Sequence, residues 1–151
     1  MAHAPTMTTV HINIIVYKGS PLDYTQYRHT ALWLRFADGS PSLLAHIIGP
    51  LGGFIFEWKQ SSKPWETQRY AKTVDVGCLT VAATPTQTVQ ALQSTPIKNR
   101  DREFNCQTWV ENALKRLKDA GFLSEEAYSK GVDGMVEAIA EAEAEDTEEL
   151  E

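Results

Sequence analysis

Residues 30–48 read TALWLRFADGSPSLLAHII. In the first run, Leu32, Leu34 and Phe36 fall on one side and Ala31, Trp33 and Arg35 on the other, which is the period of a β-strand. Asp38-Gly39-Ser40-Pro41 is a turn, and Leu43 to Ile48 is a second apolar run. The stretch therefore predicts a hairpin. Upstream, Val10 to Tyr17 (VHINIIVY) is β-branched and ends at Gly19-Ser20-Pro21. Downstream, Gly49-Pro50 stops the hairpin, Phe54 to Lys59 (FIFEWK) reads as a fourth strand, and Thr73 to Leu79 centres a fifth. The glycine-rich stretch 49–53 lacks the lysine and strand-to-helix setting of a phosphate loop, so it reads as a turn.

The second half changes period. Thr84 or Thr86 can cap a short helix through Leu92, which ends before Pro96. Asn105 to Ala120 (NCQTWVENALKRLKDA) carries Trp109, Val110, Ala113, Leu114 and Leu117 at helical spacing. Asn105 is a good N-cap and Gly121 a good residue just past the end. Phe122-Leu123 should pack back onto this helix. Ser124-Glu125-Glu126 opens another helix, and Val132 to Ala144 reads as the last one. The expected fold is α+β: a mainly antiparallel sheet of about five strands, then helices packed against it. Residues 1–9 read as a flexible N-terminus, 10–136 as a single α+β domain, and 137–151 as an acidic helix end or tail.

The 151 residues are 42% hydrophobic and 23% charged, which suits one folded domain and excludes wholesale disorder. The net charge of −6 arises in the tail, where Glu137 to Glu151 holds eight acidic residues and no basic one. The remaining 12 acidic and 14 basic residues nearly balance, and no basic stripe points to nucleic acid. Such an acidic run reads as a solvated helix end or a disordered tail, and it is a candidate contact for a partner protein. No stretch reaches the roughly 18 apolar residues of a membrane span. Met1 to Thr9 has no signal-peptide pattern, and Cys78 and Cys106 form no disulfide framework. The expectation is a reduced, cytoplasmic protein, although spacing alone does not forbid one disulfide.

Cys106 is the candidate nucleophile. It follows an N-cap, and the helix dipole and unpaired N–H groups there should lower its thiol pKa. The same N–H groups can bind a developing oxyanion, aided by the side chain of Asn105 or Gln107. The bland alternative is a small buried hydrophobe. Of four histidines, His3 lies in the ragged start and His11 is a fallback base. His29 and His46 lie on the two hairpin strands and should sit side by side, giving a base and the group that orients it. Tyr24, Tyr27 and Trp65 fall in loop-like stretches and are candidate substrate contacts, whereas Trp33 and Trp109 read as core. Arg28 can grip a carboxylate through two bonds or be a solvated surface arginine. Cys78 reads as core. Asp75 and Glu57 have no evident carboxylate partner, and no residue spacing calls for a metal or cofactor.

"RHTALWLRF", "LLAHIIGP" and "FNCQTWVENAL" together resemble the permuted NlpC/P60 branch of the papain-like thiol fold. That branch includes lecithin-retinol-acyltransferase-like proteins and PPPDE peptidases. The resemblance spans roughly residues 10 to 123 and rests on the order and context of His29, His46 and Cys106. It implies a permuted papain-like fold and thiol-based amide hydrolysis or acyl transfer through an acyl-thioester. Gln107-Thr108-Trp109 departs from the branch's "NCEHF" pattern: the aromatic is kept and the histidine is absent. The chain is also similar to small, largely uncharacterised fungal proteins with a C-x-x-W helix, which implies a tailoring role in secondary metabolism. Three readings follow. The first is a Cys-His(-His) hydrolase or acyltransferase acting on an amide, ester or thioester in a small-molecule or peptide-like substrate. The second is a non-hydrolytic tailoring enzyme using the same pocket. The third is a non-catalytic binding module.

Overall fold

A computed structural model describes residues 6–142. The elements run β1 (Val10–Tyr17), β2 (His29–Phe36), β3 (Leu43–Ile48), β4 (Ile55–Gln60), β5 (Tyr70–Cys78), α1 (Pro85–Gln93), α2 (Cys106–Asp119) and α3 (Glu125–Ala140). A 3-10 turn, Thr25–Tyr27, precedes β2. The five strands form one antiparallel sheet in the order β4-β3-β2-β1-β5. The fold is thus α+β, with strands first and helices after them.

Strand alternation gives the sheet two different faces. Ile12, Ile14, Leu32, Leu34, Ala45, Val74 and Val76 join Leu92, Trp109, Val110, Leu114 and Met135 in the main core beneath the helices. The other face holds a smaller cluster of Ile15, Ala31, Trp33 and Leu44, with Tyr17 and Tyr70 beside it. There the 61–69 connection leans on the sheet: Tyr17 Oη donates to the Pro64 carbonyl at 3.0 Å, and Trp65 meets Trp33 edge-on.

Local signals set the helix ends. The Thr84 hydroxyl accepts from the Gln87 amide while the Gln87 side chain accepts from the Thr84 amide, a reciprocal capping box. The Asn105 side chain accepts from the amides of Gln107 and Thr108 at the start of α2. Gly121 takes φ +85 after its end, a conformation suited to glycine. Leu123 is buried beside the helices, but Phe122 stays 42% exposed, so only one of that pair packs back.

Two expectations change. The two C-terminal helices are one. Gly131 and Gly134, which weaken a helix in isolation, lie against Val76 and Val74 so closely that a Cβ would clash. Close packing on β5 therefore carries the helix through both glycines. The folded body also exceeds 10–136. Thr8 is buried and pairs with Ala83, and Ala138 is fully buried. Residues 1–5, including His3, and 143–151, most of the acidic tail, lie outside the described residues. Among the described residues, no helix is long and apolar enough to cross a membrane.

Candidate active site

His29 opens β2 and His46 lies on β3, and the hairpin brings them together as expected. His29 Nε2 is 2.8 Å from His46 Nδ1. His46 is only 6% exposed, and its Nε2 lies 2.7 Å from Glu57 Oε1. Glu57 faces His46 directly across the β3–β4 pairing. The sequence alone does not pair Glu57 with His46, because only the register of β4 identifies its partner. Tyr17, the cross-strand neighbour of His29, stacks on the His29 ring at 5.9 Å.

The charge states follow from the surroundings. The bond from His46 holds Glu57 below the usual glutamate range. Burial pushes His29 down to about 4, helped by His46 and Lys59 and opposed by Glu57. Burial also lowers His46, against the pull of Glu57. At neutral pH the row is therefore carboxylate, neutral imidazole, neutral imidazole.

Cys106 begins α2, as expected, and borders the same cavity, an open space of about 1260 Å³ also lined by His29, His46, Glu57 and Asn105. Its thiol does not meet an imidazole. It donates instead to the Arg28 carbonyl at 3.7 Å, the peptide that leads into His29. The reason is parity. His29 shares the alternation of Ala31 and Trp33, on the face away from the helices, whereas α2 packs on the face of Leu32 and Leu34. The sulfur and the ring share only the lining of one cavity, with the Arg28 peptide bound to the thiol. The expected low thiol pKa is also corrected: burial pushes Cys106 up, outweighing nearby donors on Thr30, Gln107 and Cys106 itself. A helix terminus contributes roughly 0.3–1 kcal/mol, less than desolvating a thiolate costs.

The accessory residues divide. Asn105 lines the cavity, but its side-chain oxygen is committed to capping. Gln107 is committed too: its amide donates to the carbonyls of Thr25 and Arg28, so it braces the turn before His29 and is not placed as an oxyanion donor. Tyr27 lines the cavity; Tyr24 packs near it at 5.9 Å and does not line the cavity. Trp65 leans on Trp33, outside the cavity lining. Arg28 is buried, not solvated. It grips Asp23 through Nε and Nη2 at 2.9 and 2.8 Å and donates from Nη1 to the Ala138 carbonyl at 2.8 Å. This fastens the segment before β2 to α3 and fixes the carbonyl that receives the Cys106 thiol. His11, the fallback base, lies at the opposite end of β1 from the Tyr17–His29 pair, and Cys78 is exposed rather than core.

Comparison with curated proteins and with solved structures gives no match. Residues 13–124, well over half of the chain and spanning His29, His46, Glu57 and Cys106, match a family described as "Family of unknown function (DUF6540)". The chain belongs to that family.

Proposed function

We propose that the protein is a thiol-dependent hydrolase or acyltransferase, acting in the cytoplasm on an amide, ester or thioester. The observation that carries this reading is the Glu57–His46–His29 row ending in the cavity that Cys106 borders. In the reactive state the thiol leaves the Arg28 carbonyl and offers its proton to His29. The sulfur attacks the substrate carbonyl, and the Cys106 amide at the helix start donates to the oxyanion. His29 then protonates the leaving group, and water or an acceptor alcohol or amine releases the acyl group. Because the thiol is protonated at rest, His29 acts as a general base rather than as the partner of a preformed thiolate. The resemblance to the permuted NlpC/P60 branch supports the same assignment.

The test uses an acyl thioester and a p-nitrophenyl ester with the full chain in a Cys78→Ser background. Intact mass should show one acyl group on Cys106. Cys106→Ala should abolish turnover with an unchanged melting temperature, and His29→Ala should slow it by roughly 10²–10⁴-fold. A fully active Cys106→Ala variant removes the nucleophile assignment.

The bond from the thiol to the Arg28 carbonyl favours a second reading, a non-hydrolytic tailoring enzyme in which His29 moves protons and Cys106 forms the wall. That reading predicts a severe loss in His29→Ala and little in Cys106→Ser.

A further inference from the structure

We propose that Cys78, His11 and Asp75 form a second thiol site, at which Cys78 exchanges with small disulfides such as glutathione disulfide. Cys78 Sγ lies 3.5 Å from His11 Nδ1, and His11 Nε2 lies 2.6 Å from Asp75 Oδ1. The other carboxylate oxygen accepts from Lys130 Nζ at 2.7 Å. Asn13 Nδ2 also donates to Oδ1, at 3.4 Å, and is itself held by Arg35. Lys130 and His11 keep the Asp75 carboxyl below its ordinary range. An ionised Asp75 takes the Nε2–H of His11, which leaves a lone pair on Nδ1 facing the thiol.

The fold builds this cluster with a bulge. His11 pairs with Cys78 and Asn13 with Asp75, so β5 carries one more residue than β1 between these pairs. In a regular strand, residues three apart point to opposite faces. The extra residue reverses the parity and puts Asp75 and Cys78 on the same face, on either side of His11. Gly77, at φ +134, supplies the backbone turn.

The setting selects the chemistry. Cys78 is exposed and lies outside the cavity of Cys106. It ends a strand rather than opening a helix, so its own backbone supplies no row of free helix-start N–H donors for an oxyanion. Acyl transfer requires such donors, whereas disulfide exchange passes through no oxyanion and needs only an accessible sulfur and a base. His11 takes the thiol proton, and the sulfur attacks one sulfur of the disulfide. A new S–S bond forms as the old one breaks, and His11 returns the proton to the departing thiolate. One thiol and one disulfide enter, and one mixed disulfide and one thiol leave.

The full chain is treated with glutathione disulfide near neutral pH and followed by intact mass and peptide mapping. One glutathionyl group should appear on Cys78, persist in Cys106→Ser and be absent in Cys78→Ser. Folded Cys78 should react faster than the same cysteine in urea, and His11→Gln should slow it by at least about tenfold. If His11→Gln fails to fold, Asp75→Asn, which keeps the side-chain shape, should slow it in the same direction. Labelling at Cys106 in place of Cys78, equal rates for folded and unfolded Cys78, or variants as fast as the parent would overturn the proposal. Reading Cys78 in the Cys106→Ser background keeps its result separate from the role of Cys106.

Discussion

Nε2 of His29 and Nδ1 of His46 stand 2.8 Å apart, so one ring donates and the other accepts. Glu57 decides which. As a carboxylate it can only accept, so His46 Nε2 carries its proton. A neutral His46 then has its lone pair on Nδ1, and His29 must donate from Nε2. The remaining nitrogen, His29 Nδ1, is left unprotonated, the form a general base requires.

Breaking this order should show in the ring itself. His46→Ala removes the acceptor for His29 Nε2. Nitrogen-15 spectra of the imidazoles should then show His29 as a mixture of tautomers, and turnover should fall by roughly 10²–10⁴-fold. Glu57→Gln should cost less, within about tenfold, because the amide oxygen still accepts from His46. A single His29 tautomer in His46→Ala would contradict the row.

Acid should destabilise the fold through His29. Between pH 6.5 and about 4, the unfolded chain binds a proton on this imidazole and the folded chain does not. Stability therefore falls as pH drops through that window, by on the order of 3 kcal/mol. Urea titrations at several pH values should show it, and His29→Gln should flatten the slope. An equally steep slope in His29→Gln would assign the effect elsewhere.

The acid limb of kcat/KM should lie near pH 4, not near the 6.5 of a free histidine. Lys59 is one of the charges that lower His29 and His46. Lys59→Met should therefore move the limb upward, and a pH–rate profile of the two proteins measures the shift.

Gly134→Ala should destabilise α3 although alanine is the better helix former. A Cβ there would meet Val74 Cγ1 at 2.5 Å, and such overpacking costs about 1–3 kcal/mol. Val74→Ala should recover much of the loss in the double variant. Additive losses in that thermal-melt cycle would mean the two side chains do not meet.

Most of the elements were readable from the chain alone, because alternation, capping residues and turns act over a few neighbours. The hairpin 30–48, the Asn105 cap, the Gly121 stop and the pairing of His29 with His46 were all legible in it. Tertiary structure decided what depends on distant contacts. The register of β4 gave His46 a carboxylate, and contact with β5 carried α3 through two glycines. Burial raised the Cys106 thiol against its helix dipole, and strand parity turned that thiol toward the Arg28 carbonyl. A bulge at Gly77 joined Cys78 to His11 and Asp75. Local patterns record which way a residue points along its own element, but the partner it meets and the water it loses are set by chain segments far away in sequence.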